Sequence, residues 1–281
     1  MREIHVDEII SQVSRMCIEA NLYLPDDVTA AIEKARAGDP SPQAREVLGR
    51  LLENSQIARE EKTPLCQDCG LAVFFLELGQ DVRITGGNLT DAINQGVRQG
   101  YEEGYLRKSA VWDPVFARKN TGDNTPAIIY TDVVEGDRLT ITFAPKGGGS
   151  ENMSALGMLK PAQGSAGVRD FVVKSVDNAG ANPCPPIVVG VGIGGTADKA
   201  MQLAKKAIMR DLGSKNPNSD MARLEEEILR HINQLGIGPQ GFGGSTTALG
   251  VMIEAFPCHI ASMPVAVNIQ CHSARHKKTV I

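Results

Sequence analysis

Apolar residues recur at helical spacing through the first sixty positions. Ile9, Ile10, Val13, Met16 and Ile18 lay one stripe along Val6–Leu22. Leu24-Pro-Asp-Asp interrupts the stripe, and Pro25 or Asp26 starts a second helix through Ile32. Ser41-Pro42 opens a third over 41–60, carrying Val47, Leu48, Leu51, Leu52 and Ile57. The pattern changes at Pro64. Leu71–Leu78 is a nearly continuous apolar run and predicts a strand. A helix follows over Asn88–Arg107, capped by Asn88 or Thr90. Ala127–Val134 and Arg138–Ala144 read as strands, and Glu135-Gly136-Asp137 between them predicts a hairpin. Beyond these come a helix over Gly167–Asn178, a buried strand over Ile187–Ile193 and a helix over Ala197–Met209. A charged amphipathic helix over Met221–Leu235 precedes strands over Thr246–Ala255 and Pro264–Gln270. The expected architecture is one mixed α/β domain over residues 1–281. A helical section, 1–60, packs on a mixed-sheet body, 61–281.

Charge narrows the function classes. The net charge is −4, with no basic stripe of the kind nucleic acid requires. An anionic ligand must therefore be held by local donors rather than by the overall field. No run approaches the roughly 18–20 apolar residues of a membrane span, and no basic leader precedes an apolar stretch. A cytoplasmic protein without membrane contact is expected. In such a reducing compartment the six cysteines are expected to be free thiols or metal ligands.

Four segments carry candidate chemistry. Pro64-Leu-Cys-Gln-Asp-Cys-Gly70 sets two thiols, an amide and a carboxylate in a loop ahead of a strand. Taken alone, Cys66-x-x-Cys69 is half a zinc site, a redox pair or an ordinary buried loop. Lys146-Gly-Gly-Gly-Ser150 follows a strand; it reads as an anion-binding nest of N–H groups or as a flexible turn. Asn182-Pro-Cys-Pro-Pro186 precedes the buried strand, where a proline after cysteine stiffens a ligating loop. Gly190-Val-Gly-Ile-Gly-Gly195 lies inside the strand pattern, so its glycines read as close strand–helix packing rather than a dinucleotide site. Cys258-His-Ile-Ala-Ser262 and Cys271-His-Ser-Ala-Arg275 flank the last apolar strand.

Together these segments resemble the alpha-type chain of the iron–sulfur hydro-lyases, the class I fumarases and L-tartrate dehydratase. The marks are Pro-Leu-Cys-Gln-Asp-x-Gly at 64–70, Arg107, Asn120-Thr-Gly-x-Asn124, the 146–150 segment and Cys-Pro-Pro at 184–186. Leu-Gly-Ile-Gly-Pro-Gln-Gly at 235–241 and His259 ahead of Cys271 complete them, in one shared order.

The resemblance implies that Cys66, Cys184 and Cys271 hold a [4Fe–4S] cluster whose fourth iron stays open as a Lewis acid. It places Gln67, Arg107, Lys146, Gly147, Gly148 and Gly149 on the substrate, with Asp68 and His259 as an acid–base pair. The implied activity is fumarate hydratase, a tricarboxylic acid cycle reaction interconverting fumarate and malate. The alternative within the family is L-tartrate dehydratase; Lys146 favours fumarate, because the tartrate enzymes tend to lack that lysine. A rival of another class is a non-catalytic iron–sulfur module for electron transfer or sensing, and a further rival is a zinc scaffold. The long single-chain relatives continue past the point matching Ile281, so a beta subunit is expected to complete the site in a heterodimer or heterotetramer. Its contact is expected at Gly236–Gly250 and the cluster mouth. The family usually has threonine at Cys69, which is therefore expected not to ligate; the roles of Cys258 and His272 stay open.

Overall fold

The computed structural model describes residues 1–281. In chain order the elements begin β1 (Arg2–His5), α1 (Val6–Leu22), α2 (Asp26–Gly38), α3 (Pro42–Glu61), β2 (Leu71–Gly79), β3 (Val82–Thr85) and α4 (Leu89–Glu103). Next come β4 (Ile128–Val134), β5 (Leu139–Lys146), α5 (Gly148–Glu151), β6 (Ala155–Leu159), α6 (Gly164–Ala179) and β7 (Ile187–Gly194). The chain closes with α7 (Ala197–Ala207), α8 (Ser219–Asn233), β8 (Ala248–Phe256), β9 (Met263–Gln270) and β10 (Lys277–Val280). The fold is mixed α/β. No helix is long and apolar enough to cross a membrane.

The chain divides into two compact units. One comprises Met1–Leu24, Ile57–Gly148 and Arg275–Ile281; the other comprises Pro25–Gln56 and Gly149–Ala274. The helical stretch expected over 1–60 is thus shared between them.

In the first unit a four-stranded sheet runs β10-β5-β2-β4. Sequence predicts β4 and β5 to pair as a hairpin. Instead β2 lies between them, antiparallel to β5 and parallel to β4. The reason is burial. β2 carries Val73, Phe74, Phe75 and Leu76 with almost no polar alternation, so both its faces must be covered. Its Phe74 packs against Phe143 of β5, with ring centroids 4.9 Å apart. Helices α1 and α4 pack together because Gly96 and Gly100 remove two side chains. A Cβ on Gly96 would stand 2.6 Å from that of Val13, and one on Gly100 2.7 Å from the Ser14 carbonyl oxygen. α4 stops at Glu103, short of the expected Arg107, because Gly104 caps it and Tyr105 turns to φ +51°.

In the second unit the sheet runs β6-β9-β7-β8. β7 is central, parallel to β8 and antiparallel to β9. Gly190 and Gly192 face α7 so closely that an added Cβ would meet the Ala204 and Ala200 carbonyl oxygens at 2.1 and 2.0 Å. This is the close strand–helix packing expected of the glycine run. Val168, Val172, Ile187, Val189, Ile228, Val265 and Ile269 fill the core on the other side of this sheet.

Candidate active site

The loop Leu65–Gly70 enters β2 through a left-handed glycine. Gly70 has φ +70°, and a Cβ there would stand 2.6 Å from the backbone nitrogen of Lys146. That turn places a carboxylate beside a thiol. Asp68 Oδ1 accepts from the Gly70 N–H at 2.9 Å and lies 3.4 Å from the Ser109 hydroxyl. Its Oδ2 accepts from the Gly148 N–H at 2.7 Å. Cys66 Sγ, half-buried, lies 3.3 Å from Gln67 Oε1 and accepts from the Asp68 N–H at 3.4 Å. The glycine segment does supply an N–H to an anion, but the anion is the Asp68 side chain.

Lys146 ends β5 opposite Leu71 and is buried, while Gly148 and the Arg107 side chain are exposed. The Arg107 N–H donates to Cys69 Sγ at 3.3 Å. Cys69 is buried, and burial pushes its thiol pKa up, against the opposing pull of the Arg107 N–H and the Arg275 charge. Cys17 is fully buried in α1 and pushed up further. These two thiols belong to the core.

Three side chains distant in sequence support this loop. The Tyr101 hydroxyl lies 2.7 Å from the Cys69 carbonyl oxygen and 3.1 Å from that of Gly70. Asn124 donates to the Gly70 carbonyl at 3.1 Å and accepts from Ser109 N–H at 2.7 Å. Asn124 closes the 120–124 segment, but its buried, left-handed anchoring role is visible only in the fold. Arg275 donates from Nη2 to the Asp68 carbonyl at 2.6 Å.

In the second unit Cys184 sits exposed at φ +56° in the turn before β7. Its carbonyl accepts from the His272 N–H at 3.2 Å, which brings the Cys184 turn and the Cys271 segment together. Gln240 fastens the pair. Its Nε2 donates to the Pro185 carbonyl at 2.7 Å and stands 3.1 Å from His272 Nδ1. This assigns His272 a bracing role and accounts for the glutamine in the 235–241 motif. Gly149 faces the same turn, where an added Cβ would meet the Asn182 carbonyl oxygen at 3.4 Å. The following Glu151 is held by Lys205 and by Asn268, whose Nδ2 donates at 3.0 Å. His259 lies exposed between β8 and β9, its Nδ1 accepting from the Ala261 N–H at 3.1 Å. Cys258 beside it turns its thiol to the Ser262 carbonyl at 3.2 Å. In the 236–250 stretch, Phe242 is exposed.

No three histidine, cysteine or acidic side chains cluster closely enough to hold a single metal ion. A cubane cluster makes a different demand, because thiolates bound to separate irons need not converge on one point. Cys66, Cys184 and Cys271 are unbridged, and each is exposed or half-buried in a loop beside a strand, unlike Cys17 and Cys69. Accessible thiols of this kind are the donors an iron–sulfur group takes.

A family model described as Fumarate hydratase (Fumerase) matches residues 10–280. The chain is 43% identical over 275 residues to a Methanocaldococcus jannaschii protein provisionally named L(+)-tartrate dehydratase subunit alpha, covering 96% of this chain and 95% of that one. It is 32% identical over 272 residues to the L(+)-tartrate dehydratase subunit alpha of Escherichia coli strain K12, covering 96% and 89%. The protein of that name from Shigella sonnei matches to the same extent.

Proposed function

We propose, since this chain belongs to the fumarate hydratase (Fumerase) family, that it is the iron–sulfur subunit of a two-subunit enzyme interconverting fumarate and (S)-malate in the cytoplasm. Membership makes it a hydro-lyase. The observation that carries the finer reading is the Leu65–Gly70 loop, which fixes a carboxylate and an accessible thiol side by side.

Cys66, Cys184 and Cys271 would hold a [4Fe–4S] cluster. When bound, that cluster supplies an open iron that polarises the substrate hydroxyl and carboxylate. The protein's own groups do the rest. Asp68 is oriented by two backbone N–H donors and is the group assigned to hold the proton of the added water. His259, exposed on its turn, is its assigned partner in proton transfer. Arg107 presents an exposed guanidinium suited to a two-point grip on a carboxylate. Gln67, Lys146 and the N–H groups of Gly147 and Gly149 are assigned to the substrate's remaining oxygens. Gly148 contributes indirectly, because its N–H holds Asp68.

A dicarboxylate needs paired donors at both ends before it can be buried. Two further arginines do not supply them. Arg118 is exposed and binds the Pro114 carbonyl, and Arg275 is buried. The relatives' names call them alpha subunits; this supports a beta subunit that supplies the other end and the carbon base.

L-Tartrate dehydration is the second reading, favoured by the names of those same relatives. Lys146 supports fumarate. Anaerobic co-expression with the adjacent reading frame, followed by assays on fumarate, malate and L-tartrate, decides between them. Faster turnover of tartrate than of malate would reverse the assignment. A cluster whose spectrum ignores all three acids would favour the electron-transfer or sensor module.

A further inference from the structure

We propose that Arg275 is a positioning residue for the iron–sulfur site: its buried guanidinium anchors the Cys66–Gly70 loop and supplies the counter-charge for the anionic, thiolate-ligated cluster held at Cys66. The observation is an unpaired buried charge. Arg275 is 2% exposed. Nη2 reaches the Asp68 carbonyl, while Nε and Nη1 are fully buried with no hydrogen-bond partner in the protein. A guanidinium carries five N–H donors and cannot discharge itself by losing a proton. Buried charges are ordinarily paired, and the cost of leaving one alone is among the largest a fold meets.

No carboxylate of the chain answers it. Asp68, whose carbonyl Arg275 grips, turns its side chain to Gly70, Gly148 and Ser109 instead. The neighbours that feel the Arg275 charge include the Cys69 thiol and the Tyr101 hydroxyl. A substrate carboxylate entering from solvent meets the exposed Arg107 and Gln67 first, whereas Nε and Nη1 of Arg275 have no surface open to it. The remaining negative charge is one bound within the site. A [4Fe–4S] cluster on three thiolates carries net negative charge, and one of those thiolates, Cys66, lies two residues before the carbonyl that Arg275 grips. In a water-poor interior such a charge acts over several ångströms. The same hydrogen bond fixes the backbone at Asp68, so charge and loop geometry are set by one side chain.

The inference rests on the cluster reading above, and the experiment separates the two. Wild type, Arg275→Met and Arg275→Lys are purified anaerobically and compared with cluster loaded and after chelation. The readouts are iron and sulfide content, thermal midpoint, rate of iron release to a chelator, and midpoint potential. Met keeps the volume and removes the charge; Lys keeps the charge. Without cluster, Arg275→Met is expected to melt close to wild type, because losing the hydrogen bond to the Asp68 carbonyl is offset by no longer burying an unpaired cation. With cluster, it is expected to release iron at least about tenfold faster and to show a more negative potential. Arg275→Lys should release iron within about threefold of wild type. A much lower melting point or misfolding of cluster-free Arg275→Met would show a merely structural role and overturn the inference. Equal iron release by the Met and Lys variants, or wild-type retention in Arg275→Met, would overturn it too. A wild-type chain that takes up no iron and sulfide sinks the cluster reading itself.

Discussion

The backbone N–H of Gly148 donates to Oδ2 of Asp68 at 2.7 Å, joining two residues 80 positions apart in sequence. The hydrogen bond ties the glycine segment to the loop that precedes β2. It orients the carboxylate without consuming it, since a carboxylate oxygen accepts more than one donor. Asp68→Asn keeps the shape and can still accept from Gly70, but its amide nitrogen cannot accept from the Gly148 N–H, and it cannot take up a proton. Turnover is expected to fall by about 100-fold or more, the usual span of general acid–base contributions. Iron and sulfide content should not change. A variant within a few-fold of wild-type kcat at full cluster content would remove Asp68 from the proton path.

Gly70 tests the loop's geometry. Its φ is +70°, and an added Cβ would lie only 2.6 Å from the Lys146 nitrogen, so the position has no room for a side chain. Gly70→Ala is expected to cost about 2–4 kcal/mol, from the left-handed conformation together with a backbone clash. Urea unfolding measures it. A loss under about 0.5 kcal/mol would mean that the loop relaxes easily.

Asp123 gives a pH signature. Burial raises its pKa, but hydrogen bonds from the Thr125 hydroxyl and N–H, together with Arg98, outweigh burial and hold it at about 2. A depressed carboxylate stabilises the fold above its unfolded pKa, near 3.9. The contribution is lost as pH falls from there through about 2. Wild type should therefore lose stability more steeply than Asp123→Asn between roughly pH 4 and 2. Parallel denaturation midpoints for the two proteins across that interval would contradict the assignment. Asp123 neighbours Asn124, so its loss should also loosen the anchor on Gly70.

The cysteines divide by environment. Cys66→Ser, Cys184→Ser and Cys271→Ser are each expected to lose stable cluster, because each removes one of three anchors. Cys17→Ser and Cys69→Ser should retain it, although burying a hydroxyl in place of a thiol will lower their stability. Iron and sulfide analysis after anaerobic reconstitution decides. Full cluster in Cys184→Ser, or none in Cys69→Ser, would redraw the ligand set.

The long helices α1 and α3 and the long apolar strands β2, β7, β8 and β9 were legible because their periods are strong and their lengths ample. The short strands β1, β3, β6 and β10 were not, since so few residues leave little pattern. Pairing was the harder matter. The turn at 135–137 has hairpin chemistry, yet the apolar demand of β2 places it between β4 and β5. The Leu65–Gly70 loop was legible as a motif. Its supports were not. Tyr101, Ser109 and Arg275 reach it from 31 to 207 positions away, and no local spacing announces such contacts. Arg275 closes the Cys271–Arg275 segment in the sequence, and the fold buries it with Nη2 on the Asp68 carbonyl.

The two-subunit reading makes the strongest demand. This chain alone, loaded with cluster, should hydrate fumarate negligibly. The substrate carries two carboxylates, and each must be met by donors as water is excluded. Arg107 and the glycine N–H groups can serve one end. Arg118 is engaged with the Pro114 carbonyl and Arg275 is buried, so neither is placed to meet the other. The carbon acid needs a base on the face opposite the departing oxygen, and transition-state charge on the carboxylate needs oriented donors there. A partner chain that brings both would raise turnover by several orders of magnitude, since each missing group typically contributes about 100-fold or more. Steady-state fumarate hydration, measured on the isolated loaded chain and on the co-expressed complex at equal cluster content, gives the ratio. Equal rates would show that one chain holds the whole site and would end the two-subunit reading.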